Sequence, residues 1–94
     1  MYSFDIRDHL DKIFKKIEKK NKKQLEIIHN KIAEVIQNPQ HYKNLRSPLQ
    51  HLKSTHIDKS FVLLFSVDEN LKKVTFEEFD HHDRIYNITK DLSF

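Results

Sequence analysis

Apolar residues recur along this chain with two different periods. From Leu10 to Ile17 they fall at helical spacing (Leu10, Ile13, Phe14, Ile17), with Lys12, Lys15, Lys16, Lys19 and Lys20 around them. Asp5 or Asp8 is a natural start for this helix, since an acidic residue there faces the positive end of the helix dipole. Asn21 interrupts the stripe, and a second one follows through Leu25, Ile28, Ile32, Val35 and Ile36, with Ile27 alongside. Asn38-Pro39 closes it, because a residue before proline avoids helical torsions. Two amphipathic helices joined this tightly predict an antiparallel hairpin. Ahead of them, Tyr2 to Ile6 alternates as a short strand would.

Beyond Pro48 the period shortens. Leu49 to Ile57 is mixed but ends in the extended-looking Thr55-His56-Ile57, and Asp58-Lys59 reads as a two-residue turn. Phe61 to Val67 is a continuous apolar run, which predicts a central strand buried on both faces. Asp68-Glu69-Asn70 reads as a turn, Lys73 to Phe79 as another strand, and a short helical tail is expected from His81 or His82. The expected fold is α+β: an N-terminal strand and a helical hairpin packed on a small, mainly antiparallel sheet, in the order β-α-α-β-β-β with the helical tail last.

Ninety-four residues predict one domain, spanning 1–94, with a modest core. The absence of cysteine removes disulfides, thiolate metal sites and a thiol nucleophile, and fits a reducing cytoplasm. The absence of glycine removes any glycine-rich phosphate loop and leaves tight turns to Asn, Asp, Lys and Pro. No apolar run approaches the ~18 residues of a membrane span, and no signal peptide is recognisable. Seventeen basic against 14 acidic residues give a net charge of +3 and a pI of about 9.1, compatible with an anionic partner. Much of that charge lies between Arg7 and Lys23, with eight basic side chains against three acidic. Lys16, Lys19, Lys20 and Lys23 could track a phosphate backbone, or could form a solvated helix face.

The densest chemistry is Phe79-Asp80-His81-His82-Asp83-Arg84-Ile85-Tyr86. Imidazoles can give and take protons near neutral pH, and this group, just past a strand, suggests chemistry on an anionic substrate with RNA foremost. His56 taken alone would more often be structural, but neighbouring strand ends could bring it to His82. Tyr86, four residues after His82, could stack a base or orient a phosphate, or could dock the tail. For Ile85 docking is the preferred role. Arg84 is the favoured group for stabilising phosphate charge, unless it pairs with Asp80 or Asp83. Lys53 could also serve. His81 and Lys59 are further candidate substrate contacts. Asp80, His81, His82 and Asp83 have metal-ligand chemistry, but adjacent residues rarely converge on one ion, so no metal is expected.

The stretch Asn38-Pro39, Tyr42, Leu45, Pro48-Leu49, His56-Ile57-Asp58-Lys59-Ser60-Phe61-Val62-Leu63-Leu64-Phe65, with the run from Phe79 to Tyr86, resembles the RelE/ParE toxin superfamily. It looks most like the YafQ-type and archaeal RelE-like branch of type II toxin–antitoxin modules. The resemblance implies a cytoplasmic, ribosome-dependent mRNA endoribonuclease that needs no metal or other cofactor and is held by a cognate antitoxin. His56 matches the strand histidine of the YafQ type, His82 its C-terminal histidine and Tyr86 its C-terminal aromatic. These matches imply His82 as general acid, His56 as general base or phosphate ligand, and Tyr86 as a substrate contact. Asp68 is a candidate for the acidic residue of that type. Val62 stands where many members carry arginine, and the basic pair on the preceding strand is reduced to Lys53. Charge stabilisation then falls to Arg84, Lys53 or Lys59, or to the ribosome's surroundings. The alternatives are a ParE-like gyrase inhibitor without nuclease activity, and a nucleic-acid-binding module that has lost catalysis. The two matched histidines favour the nuclease.

Overall fold

The computed structural model describes residues 1–85. Strand β1 (Ser3–Ile6) leads into helices α1 (Asp8–Lys20) and α2 (Lys22–Gln37), a short 3-10 turn (Pro39–His41), and strands β2 (Leu52–Ile57), β3 (Phe61–Asp68) and β4 (Lys73–His81). A helical turn at 82–85 follows β4 directly. The four strands form one mixed sheet in the order β1-β4-β3-β2, with β1 parallel to β4 and the other neighbours antiparallel.

The corner between the helices needs no glycine because Asn21 serves both. Its N–H closes α1 onto the Ile17 carbonyl at 2.7 Å, and its side-chain oxygen accepts the Gln24 N–H of α2 at 3.0 Å. The hairpin lays Leu10, Phe14, Leu25, Ile28, Ile32 and Val35 on one sheet face against Ile57, Leu63, Phe65, Val74, Phe76 and Phe79. As its continuous apolar run predicts, β3 is central and buried on both faces. Val62 and Leu64 point away from the hairpin and pack with Ile85, Leu45 and Leu52. Ile85 thus docks the tail.

Two turns use left-handed backbone without glycine: Asp58 (φ 58°) and Lys72 (φ 52°). The loop between β2 and β3 has three residues, Asp58 to Ser60, one more than the sequence suggests, since Ile57 and Phe61 are the last pair. Strand β4 also runs two residues past its expected end, so Asp80 and His81 are strand residues. Near its middle the register slips, with Leu64 opposite Glu78 and Phe65 opposite Phe76, leaving Glu77 as the extra residue of a bulge. Phe76 and Phe79 are an odd number of residues apart, and strict alternation would expose one of them. The bulge keeps both in the core and places Asp80 on the open face of the sheet.

Candidate active site

His56 lies on β2, paired with Val62 of β3, which is paired with Asp80 of β4. Residues paired across an antiparallel sheet share a face, so these three form a row on the side away from the helices. His82 is the first residue past β4. Its N–H donates to the Ser60 carbonyl at 2.6 Å, tying the tail to the loop between β2 and β3. The two imidazoles meet there, with ring centroids 6.3 Å apart and planes tilted by 34°. Both side chains are exposed, so an incoming group can reach either. His82 Nδ1 lies 3.3 Å from Asp83 Oδ1. Arg84 Nη1 lies 3.9 Å from Asp80 Oδ2, so the ion pair with Asp80 is the one adopted here.

The other anticipated residues separate into two groups. Lys59 sits exposed on the Asp58–Ser60 loop beside the histidines. His81 is adjacent in sequence but points to the opposite face, where its ring meets Phe61 edge-on at 5.6 Å. Lys16, Lys19, Lys20 and Lys23 are exposed on the hairpin, in the layer on the other side of the sheet from His56. Contacts of this first helical segment step along β4, from the Arg7 N–H on the Phe76 carbonyl to His9 near Glu78 and Phe14 on Phe79. The lysine-rich tip therefore lies toward the end of the sheet that carries the histidines.

Asp68 and Lys53 are not brought to the cluster. Asp68 pairs with Lys73 at the far end of β3, roughly 23 Å along the strand from Phe61. Its carboxylate accepts the N–H groups of Asn70 (2.9 Å) and Leu71 (3.1 Å), closing the turn into β4. Lys53 faces the core side of β2 and is only 7% exposed. Its Nζ donates to the Tyr42 carbonyl and to Asn44 Oδ1, both at 2.9 Å, fastening the 42–51 loop that covers the outer edge of β2. Lys53→Met keeps the apolar stem but removes the ammonium and both of its hydrogen bonds. It is expected to lower stability by about 1.5–3 kcal/mol, read from the urea midpoint. Tyr86 lies outside the described residues.

The open face of β4 is acidic, yet each carboxylate has a basic neighbour. Arg7 Nε reaches Glu77 at 2.8 Å, His9 lies 3.3 Å from Glu78, and Arg84 faces Asp80. Burial works against ionisation of Glu77. The Arg7 hydrogen bond, that of Ser66 Oγ (2.6 Å) and the charges of Arg7 and His51 outweigh it and hold the carboxyl below its ordinary pKa. A pKa lower in the folded than in the unfolded state means stability that is present above the unfolded value, about 4.3 for glutamate. That stability is lost as pH falls through the folded value. Glu77→Gln is therefore expected to be less stable than the parent at pH 7, with the gap in urea midpoint narrowing as the pH falls below the unfolded value.

Among the described residues, no three His, Asp or Glu side chains are grouped as a metal site, and no helix is long and apolar enough to cross a membrane. One participant, the Ser60 carbonyl, carries no side-chain signal in the sequence; Asp80 is legible there as part of the cluster, but its place in the His56 row depends on the bulge.

No protein-family model matches the chain. A Methanosarcina mazei protein is 58% identical over 86 residues, covering 92% of this chain and all of that protein. The Methanocaldococcus jannaschii protein named "Putative toxin RelE4" is 57% identical over 90 residues, covering 96% of each. The chain belongs to the RelE toxin family. Solved RelE-type structures share its fold at much lower identity. The Staphylococcus aureus YoeB–YefM complex matches with a TM-score of 0.73 and 17% identity, over 87% of this chain and 98% of that one. Isolated Escherichia coli RelE matches at 0.70 and 16%, over 98% and 100%. Escherichia coli YafQ matches at 0.68 and 16%, over 92% and 99%. The α+β architecture expected from the sequence is thus the RelE architecture, with both matched histidines at one end of the sheet.

Proposed function

We propose that this RelE-family chain is the toxin of a type II toxin–antitoxin pair and cleaves mRNA on the ribosome, in the cytoplasm. The observation that carries the reading is the approach of His56 and His82, from separate elements, to a ring separation of 6.3 Å on an exposed sheet end. Two imidazoles so placed can address the two proton transfers of one phosphodiester cleavage. His56 takes the proton of the ribose 2′-hydroxyl as O2′ attacks phosphorus. The bond from phosphorus to the 5′ oxygen breaks, and His82 supplies the proton that this oxygen needs. The products are a 2′,3′-cyclic phosphate and a 5′-hydroxyl.

The non-bridging oxygens gain charge in the transition state. Arg84, two residues beyond His82, supplies a guanidinium for that charge, and it would exchange Asp80 for the phosphate. Lys59, and at longer range the lysines of the hairpin tip, add a field that attracts RNA. Support for an antitoxin partner comes from the YoeB–YefM complex, whose toxin component has this fold. The test is in vitro translation with purified protein and primer extension of the message. Cuts that require ribosomes and disappear with His82→Ala support the reading. Toxicity in cells that survives both His82→Ala and His56→Ala would overturn it in favour of a non-nuclease toxin, with gyrase supercoiling the next assay.

A further inference from the structure

His81 is the histidine of the cluster that faces away from the site, and its surroundings give it a different task. The first N–H groups of a helical segment have no partner within the helix, so each must find one elsewhere. At the start of the tail three such groups have partners. The His81 N–H donates to Asp80 Oδ1 at 2.7 Å, the His82 N–H to the Ser60 carbonyl at 2.6 Å, and the Asp83 N–H to His81 Nδ1 at 3.2 Å. The third bond places the imidazole in the role that Ser, Asp or Asn usually takes at a helix start, where a side chain accepts the N–H two residues on. The ring is held for this by Phe61, its register partner, in an edge-on contact at 5.6 Å. The Asp83 carboxylate also approaches Nδ1, but at 3.7 Å, beyond hydrogen-bond range.

We propose that His81 is a positioning residue: its Nδ1 caps the turn that carries His82 and Arg84 and so sets where those two side chains point. The role demands one chemical form. Nδ1 can accept only when the ring is neutral with its proton on Nε2. Two neighbouring histidines would then divide the labour, with His81 an acceptor that holds the backbone and His82 a proton carrier. The catalytic half of this statement rests on the nuclease reading; the cap itself does not.

The experiment compares the full-length parent, His81→Ala and His81→Asn. Asn restores a short side-chain acceptor and Ala removes it. Nitrogen-15 NMR of the parent is expected to show His81 with its proton on Nε2 and a bare Nδ1. Amide exchange at Asp83 is expected to quicken roughly two- to thirtyfold in His81→Ala and to return toward the parent rate in His81→Asn. In the cleavage assay kcat should fall in the Ala variant with KM unchanged, and recover in the Asn variant. A proton on Nδ1, or Asp83 exchange unmoved by His81→Ala, would overturn the cap. A raised KM in both variants would instead mean that His81 touches substrate, and would overturn the positioning role. If the parent cleaves nothing, the nuclease reading fails while the two NMR readouts still decide the cap.

Discussion

His82→Ala is expected to lower ribosome-dependent cleavage by about 10²- to 10⁴-fold, the range that one general acid contributes. The fold should hardly notice. The His82 side chain is about half exposed, the bond to the Ser60 carbonyl is made by its backbone and survives the substitution, and the tail stays docked through buried Ile85. The urea midpoint should therefore move by no more than about 0.5 kcal/mol in stability, as for most exposed positions. His56→Ala should resemble it, being exposed on an edge strand. The double variant should cost less than the product of the two single losses, because the base and the acid act in one step. Single-turnover cleavage on stalled ribosomes is the measurement. An undiminished rate in the His82→Ala protein would remove the acid from the mechanism.

Phe65→Ala is expected to have the largest effect on stability, about 3–5 kcal/mol. Phe65 is fully buried at the middle of the central strand, edge-on to Tyr42 at 5.6 Å and tilted against Phe76 at 5.8 Å. It sits where the helical hairpin, the sheet and the start of the 42–51 loop meet, so no single element can relax to fill the space. Against the roughly 5–15 kcal/mol that holds a typical domain, such a loss removes a large fraction of the total stability. Urea unfolding should show the midpoint falling while the slope stays constant. A loss under 1 kcal/mol would mean that the hairpin closes onto the sheet without this ring.

Leu10-Ile13-Phe14-Ile17 and Leu25-Ile28-Ile32-Val35 specify their helices because only one face of each can be buried. Phe61 to Phe65 specifies a central strand because an apolar run of that length must be covered on both sides. Lys53 and Asp68 were not legible in the same way. Lysine and aspartate on strands suit either phosphate chemistry or local hydrogen bonding. Only the fold shows Lys53 turned to the core side and Asp68 closing a turn at the far end. His81 and His82 look equivalent in sequence, and the phase of β4 sends them apart.

What the sequence determined by itself was the order of elements, the helical and central-strand cores, the docking of Ile85 and the family resemblance carried by His56 and His82. The elements, their cores and the docking of Ile85 follow from periodicity and local residue chemistry, which act between near neighbours in the chain. The tertiary structure decided which polar groups share a face. The extra residue at Glu77 sets the phase of the last strand, placing Asp80 with His56 on the open face and His81 against Phe61. The Ser60 carbonyl draws His82 to His56 across a three-residue loop. Register and backbone hydrogen bonds between distant segments are settled by packing Phe76 and Phe79 into one core, a constraint that no short window of sequence contains.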